Sequence, residues 1–131
     1  MTDAPIERFV NALLVSAIKK QATHVRVTPT PTGGSVQFFI DGDWYEEWSP
    51  SPELYTPIVR RLGVMIGVLP PKKGEPWFGR LCIQLGEAPH YLLVAIDRGD
   101  TLHALVELVD EAGFKSKRQP RPPSPHPYRQ G

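Results

Sequence analysis

The spacing of apolar residues changes once near the start of the chain, and this change constrains the fold more than any other feature. Between Ile6 and Ile18 apolar residues recur every three or four positions, which is the period of a helix with one apolar stripe. Beyond Ala22 the spacing falls to two, the period of a strand. A helix followed directly by strands predicts a domain of mixed α and β structure.

Turn residues divide the first strand region. The stretch from Thr28 to Gly34 is rich in proline, threonine and glycine and predicts a break between two strands. Asp41-Gly42 is the strongest short hairpin signal, because that turn needs a positive φ at the glycine. The three strands predicted in this way, which form a small antiparallel meander, are Thr23–Val27, Val36–Ile40 and Trp44–Trp48.

A second helix follows a serine- and proline-rich stretch. Ser51 followed by Pro52, and Thr56 followed by Pro57, are both typical of a helix start, and the sequence does not decide between them. The apolar face of this helix extends to Ile66. Beyond it, residues 72–76 predict a loop.

Three evenly spaced apolar runs predict a second antiparallel unit, packed against the helices. The runs are Phe78–Leu85, His90–Ile96 and Thr101–Leu108. The element order is therefore α-β-β-β-α-β-β-β. We predict an α+β domain over residues 1–112, in which an antiparallel sheet packs against two helices.

The end of the chain differs in composition from the rest. Residues 115–131 hold five basic residues and no acid, so the remaining chain, with 10 basic and 14 acidic residues, is mildly acidic. Five prolines lie between positions 120 and 127. We predict that residues 113–131 form a disordered, basic, proline-rich tail; the alternative is a polyproline segment that docks on a partner. An acidic domain with a basic tail does not indicate a specific nucleic-acid surface.

Several functional classes lack support in the sequence. No apolar run approaches the roughly 18–20 residues that span a membrane, and no signal peptide is evident, so we expect a cytoplasmic protein. The four histidines lack metal-ligand spacing, and no nucleophile has a base nearby, so we predict no metal, no cofactor and no enzyme activity. Cys82 lies in an apolar run and is predicted to be a buried strand residue.

Residues 9–108 contain a set of short sequence motifs that resemble, in the same order, those of one protein family. The motifs are Ala22–Pro29, Val36–Gly42, Arg60–Met65, Pro76–Arg80, Leu93–Ala95 and Gly99-Asp100. Together they resemble the N-terminal domain of type II secretion and type IV pilus assembly ATPases, which implies a PAS-like fold. No G-x-x-x-x-G-K-[ST] loop occurs in the sequence, so we expect a degenerate, stand-alone homologue without the motor.

The resemblance also implies where phosphate-facing arginines belong. In the family, arginines on these strands face a neighbouring nucleotide site. Here Gln37 and Phe39 stand at two of those positions. The residual candidates for contact with phosphate are Arg26, Arg80 and Arg98.

Aromatic residues are the main candidates for a protein contact. Alternation along a strand predicts that Trp44 and Trp48 share one face. They either cover the helices or form an exposed anchor, since tryptophan is enriched at interface hot spots. With Phe39 and Trp77, they are the candidate interaction residues.

The sequence and the resemblance together predict a non-catalytic protein-interaction or scaffolding module. The expected partners are a secretion- or pilus-type ATPase, a membrane platform component, or a second copy of the chain as a homo-oligomer. The alternative is a PAS-like sensor of a small molecule, with Phe38, Trp44 and Leu92 lining its cavity.

Overall fold

A computed structural model of the chain describes residues 4–67, 77–98 and 101–124. Its helices and strands are α1 Ala4–Lys19, β1 His24–Thr30, β2 Gly33–Ile40, β3 Asp43–Trp48, α2 Pro52–Met65, β4 Trp77–Leu85, β5 Ala88–Arg98, β6 Leu102–Val109 and α3 Glu111–Lys115. The predicted α+β class is confirmed, and the short helix α3 follows the predicted elements. The predicted loop 72–76 lies outside the described residues.

The six strands form one antiparallel sheet in the order β3-β2-β1-β6-β5-β4. The two predicted three-stranded units are therefore joined, along β1 and β6, with register from His24 opposite Glu107 to Val27 opposite Ala104. Each unit thus gains a hydrogen-bonded neighbour for one of its outer strands, which would otherwise expose unpaired N–H and C=O groups.

One face of the sheet, called the helix face here, carries the hydrophobic core under α1 and α2. Val25, Val27, Val36 and Phe38 of the first unit are almost fully buried. Leu92, Val94, Ile96, Ala104 and Val106 are their counterparts in the second unit. Burying a side chain of this size stabilises the fold by about 1.5–3 kcal/mol.

The second helix uses the earlier of its two possible starts. Pro52 is its first residue and Ser51 occupies the N-cap position, although the Ser51 side chain makes no capping hydrogen bond. Pro57 lies inside the helix. A proline has no backbone N–H, so this turn lacks one helical hydrogen bond.

The predicted break between the first two strands is shorter than expected. β1 continues to Thr30 and β2 begins at Gly33, with paired backbones throughout. Gly34 permits this pairing beneath α2, because a Cβ atom there would lie 2.2 Å from Cδ1 of Tyr55. Close approach of helix and strand therefore accounts for the glycine.

The opposite face of the sheet, called the back face here, is crossed by residues that follow β6. Asp110 caps α3, its side chain accepting a hydrogen bond of 2.8 Å from the Gly113 N–H. Residues 116–124, called the arm here, then lie against the back face, with Pro120 buried. The prediction of disorder over 113–131 thus differs from the structure at residues 113–124, while 125–131 lie outside the described residues.

The physical reason for this difference is that the arm is held by polar contacts with the sheet. Its composition offers few apolar side chains, which is why the sequence predicted disorder. The hydrogen-bond acceptors and donors that order it belong to strands β1 and β6, far away in the sequence.

Candidate interaction face

The back face presents a mixture of aromatic, charged and aliphatic side chains. Alternation along each strand places these residues opposite the core residues of the helix face. From β3 to β4, the register rows of the back face are Trp44–Phe39–His24–Glu107–Leu93–Arg80 and Glu46–Gln37–Arg26–Leu105–Ala95–Phe78.

Glu107 is the central anchor of the arm. Its carboxylate accepts hydrogen bonds from both terminal nitrogens of Arg118, at 2.8 and 3.0 Å, and from the Arg121 backbone N–H at 2.8 Å. Burial opposes ionisation, but these hydrogen bonds outweigh it and lower the pKa of Glu107. A bidentate pair of this kind fixes both the position and the direction of the arm.

His24 binds the same turn of the arm from β1. Its Nε2 lies 2.8 Å from the Arg121 carbonyl oxygen, and its Nδ1 lies 2.9 Å from the Thr23 hydroxyl. Because a carbonyl only accepts, Nε2 carries the proton and donates it. Burial lowers the pKa of His24, and this effect outweighs the opposing influence of the Arg121 carbonyl and Glu107.

A groove lies beside the docked arm, next to the aromatic pair of β2 and β3. The ring centroids of Phe39 and Trp44 are 5.1 Å apart, and the guanidinium of Arg26 stacks 3.9 Å from the Trp44 ring. Arg26 Nε also donates to Gln37 Oε1 at 2.8 Å. The groove encloses about 300 Å³ and is lined by Arg26, Thr28, Trp44, His103, Ala104, Leu105, Pro122 and Pro123.

The prediction that Trp44 and Trp48 share a face is wrong. Gln37 pairs with Glu46 but Val36 pairs with Trp48, so Glu47 is an extra residue that forms a β-bulge. A bulge shifts the alternation by one residue. Trp44 consequently lies on the back face, whereas Trp48 lies on the helix face and contacts Phe9 of α1, with ring centroids 4.2 Å apart.

The four aromatic candidates therefore divide into two pairs. Trp48 and Trp77 are partly buried and pack against the core on the helix face. Trp77 lies beside α2, where a Cβ at Gly63 would be 3.5 Å from its ring. Phe39 and Trp44 remain together on the back face, which leaves this pair as the candidate contact residues away from the core.

The candidate phosphate-facing arginines are not gathered into one site. Arg26 contacts Gln37 and Trp44, while Arg80 donates to the Phe114 carbonyl at 2.9 Å and stacks on the Phe114 ring. Three strand spacings separate β1 from β4, which places Arg26 and Arg80 at least about 14 Å apart. Arg98 ends β5 opposite Leu102, and its side chain lies outside the described part of the chain.

The proposed lining of a sensor cavity is also contradicted. Phe38 and Leu92 are fully buried on the helix face, whereas Trp44 lies on the back face. The sheet itself separates them, so these three side chains cannot line one cavity. Trp44 pairs with Phe39, the neighbour of Phe38 along β2, and neighbouring positions of a strand point to opposite faces.

Cys82 differs from its prediction as well, because it is exposed. Cys82 lies on the edge strand β4, where it pairs with Tyr91 of β5, and its position in the strand places it on the back face. Within residues 4–67, 77–98 and 101–124, no group of three or more histidine, cysteine or acidic side chains is arranged to hold a metal. Over the same residues, no helix has the length and apolar character needed to cross a membrane.

Sequence reasoning did not single out the residues that hold the arm, namely His24, Glu107 and Arg118. One signal was present: Glu107 is the only charged residue in the run from Leu102 to Val109, which otherwise predicts a well-covered strand. A carboxylate at such a position indicates a buried or partly buried basic partner. No sequence pattern indicates which arginine that partner is.

Comparisons with known proteins show that part of the chain is similar to part of assembly ATPases. No family model matches it. It is 37% identical over 84 residues to the type IV pilus assembly ATPase PilB of Myxococcus xanthus, covering 64% of this chain and 15% of that protein. It is 33% identical over 84 residues to the type II secretion system ATPase E of Vibrio cholerae, covering 64% and 17%.

A longer alignment joins it to the type II secretion system protein HxcR of Pseudomonas aeruginosa. The identity is 26% over 109 residues, which covers 82% of this chain and 23% of that protein. The chain thus spans between 15% and 23% of the length of these three relatives. Its homologues are assembly ATPases of type II secretion systems and type IV pili, and the predicted resemblance to the N-terminal part of that family is confirmed.

Proposed function

We propose that this chain is a non-catalytic protein-interaction and scaffolding module that acts in the bacterial cytoplasm. Its partner is a component of a secretion or pilus assembly machine: an assembly ATPase, a membrane platform protein, or a second copy of the chain. The homology to N-terminal parts of such ATPases supports this class of partner.

The observation that carries the proposal is the aromatic and guanidinium cluster on the back face. Phe39, Trp44 and Arg26 lie together at a groove that is mainly apolar. Tryptophan and arginine are the residue types most enriched at protein hot spots. Phe39 stands where the family resemblance implies an arginine that faces phosphate, so an apolar ring replaces a charge within the cluster.

The surroundings of the arginines support a role without nucleotide. Arg26 and Arg80 are both engaged by groups of this chain, and their separation prevents them from clamping one phosphate. The sequence contains no glycine-rich phosphate loop with its lysine. We therefore expect the purified chain to hydrolyse no ATP, and measurable hydrolysis that follows the chain through purification would overturn this part of the proposal.

The contact is tested by measuring binding of the full chain to the intact assembly ATPase of the source organism by biolayer interferometry. Trp44→Ala is expected to weaken binding by about 30-fold or more if the cluster is a hot spot. Tyr45→Ala is the matched control, because Tyr45 is the adjacent residue of β3, is 50% exposed and pairs with Phe38 of the helix face.

Equal binding by the Trp44→Ala and Tyr45→Ala variants would contradict the assignment of this face. The membrane platform protein, tested in the same way, distinguishes the second partner class from the first. Binding to the ATPase that strengthens with ATP and weakens on Arg26→Ala or Arg80→Ala would indicate a contact with the partner's nucleotide instead of a purely structural contact.

A further inference from the structure

We propose that the back face binds the arm of a second copy of this chain, so that two copies exchange arms in a reciprocal dimer. The proposal rests on the contacts between arm and sheet alone and stands whether or not an assembly ATPase binds. Each groove is then completed by residues of its partner.

The back face recognises the chemistry of the arm at several points. Glu107 takes the guanidinium of Arg118 and the Arg121 N–H, while His24 donates to the Arg121 carbonyl. Pro120 is buried between these contacts. This is the recognition of an extended, basic, proline-containing segment, and the arm supplies such a segment within the same chain.

Every one of these contacts can equally be made between two copies of the chain. The arm directly follows α3, and its first two residues, Ser116 and Lys117, connect that helix to Arg118, the first residue of the arm that binds the sheet. The groups that hold the arm lie on β1 and β6. Exchange of an identical segment preserves each contact and generates a two-fold symmetric dimer.

Lys117 forms a strained hinge at the start of the arm. Lys117 has φ +60°, in the left-handed region that side-chain-bearing residues adopt at a cost. That cost corresponds to a factor of about 5–30 in an equilibrium. An exchanged arm leaves the domain in a different direction, so Lys117 is free to take a negative φ, and a strained hinge is a known route to exchange.

The surface around the hinge is not fully covered. A hollow of about 200 Å³ lies beside it, lined by Phe78, Gly79, Arg80, Lys117 and Arg118. Phe78 is 47% exposed there. A second copy that approaches the back face would cover this ring.

These observations set the expected strength of the dimer. A short tether gives the arm an effective concentration of about 1 mM for its own groove. Relief of strain at two hinges favours the dimer by about 30- to 1,000-fold, so the expected dissociation constant is about 1–30 μM. Sedimentation equilibrium of the full chain between 1 and 300 μM covers this range.

Lys117→Gly is the first test, because glycine adopts a positive φ without strain. It is expected to weaken the dimer by about 30-fold or more while leaving every contact of the arm in place. Lys117→Pro is the opposite change, because proline cannot adopt φ +60° and so disfavours the closed monomer. It is expected to strengthen the dimer.

Charge reversal gives the second test. A copy carrying Glu107→Arg and a copy carrying Arg118→Glu each lose the pair within their own chain and are expected to be monomers. When mixed, each arm meets an oppositely charged groove on the other copy, so a one-to-one heterodimer is expected. A chain carrying both changes restores a reversed pair and serves as the folding control, with circular dichroism confirming that each variant is folded.

Three results would overturn the proposal. They are a wild-type chain that stays monomeric at 300 μM, reversed copies that fold but do not associate on mixing, and a dimer that persists in the Glu107→Arg variant alone. The last result would show association through another surface. None of these results depends on the ATPase-binding measurement, so the two proposals fail separately.

Discussion

The two faces of the sheet are covered in different ways. The helix face is closed by two helices over a continuous set of aliphatic side chains, most of them less than a tenth exposed. The back face is closed by α3 and the arm, which are held by hydrogen bonds and ion pairs at a few positions. Packing of the first kind is lost only when the domain unfolds, whereas the second kind can open locally.

We therefore expect the two faces of the sheet to differ in role: one stabilises the fold and the other provides contacts with other chains. Non-directional burial of apolar area supplies most of the folding free energy. Directional polar contacts add less net stability but select a chemistry and an orientation. The helix face therefore maintains the fold, and the back face is where we place the contacts with other chains.

The largest expected effect is on the helix face. Phe38→Ala removes a fully buried ring from β2 and should lower the free energy of unfolding by about 3–5 kcal/mol. Chemical denaturation monitored by circular dichroism measures this loss. A loss below about 1 kcal/mol would contradict the placement of the core between this face and the helices.

The next largest effect is on the back face. Glu107→Ala leaves the Arg118 guanidinium and the Arg121 N–H without their acceptor and should lower the free energy of unfolding by about 1–3 kcal/mol. Hydrogen exchange should rise mainly in residues 116–124. Glu111→Ala is the matched control, because Glu111 is an exposed acid whose ion pair with Lys115 lies within α3; equal effects of the two variants would mean that Glu107 is not the anchor.

A smaller effect on the free energy of unfolding is expected when the pH is lowered, and it also arises on the back face. The pKa of His24 is lowered by burial, so the unfolded chain binds more protons as pH falls below the ordinary histidine value of 6.5. The contribution of His24 to the free energy of unfolding is complete above that value. It declines as the pH falls toward the lowered pKa that His24 has in the folded state.

Glu107 adds a second loss of folding stability as the pH falls. Its lowered pKa means that its contribution is present above about pH 4.5 and is lost as pH falls through the folded value. Denaturation of the wild type and of His24→Gln at pH 7.5, 6 and 5 separates the contribution of His24 from that of Glu107. The difference in the free energy of unfolding between the two proteins at each pH is the contribution of His24. A His24→Gln variant with the same dependence as the wild type between pH 7.5 and 5 would exclude His24 as the source.

The smallest expected effect on the free energy of unfolding is that of Phe78→Ala, which is the back-face counterpart of Phe38→Ala. Phe78→Ala removes the same type of ring from the same sheet, but Phe78 lies on the back face and is 47% exposed. The change should alter the free energy of unfolding by no more than about 0.5 kcal/mol. A loss comparable to that of Phe38→Ala would show that the back face carries a second core.

The element order was predictable because it depends on local spacing. The helical period from Ile6 to Ile18, the Asp41-Gly42 turn and the three apolar runs of the second half each became the expected element. The pairing of β1 with β6 was not predictable, because it joins residues more than 75 positions apart in the sequence. No local pattern specifies such a partner.

The candidate site was less predictable than the fold. Phe39 and Trp44 were identified from residue type, and they do lie together. The prediction that Trp48 shares the face of Trp44 was wrong, because the single extra residue of a bulge reverses the alternation, and nothing in the sequence marks Glu47 as that residue. The register of β2 against β3, fixed by the core beneath it, decides the outcome.

By itself, the sequence determined the helices and strands from α1 to β6 and which of their residues are apolar enough to be buried, since both follow from spacing along the chain. Only the tertiary structure decided that the two strand units form one sheet and that residues 116–124 lie against its back face. The reason is that Glu107 and His24 order a segment of low apolar content through hydrogen bonds of defined geometry. Such bonds exist only once distant strands have placed their donors and acceptors side by side.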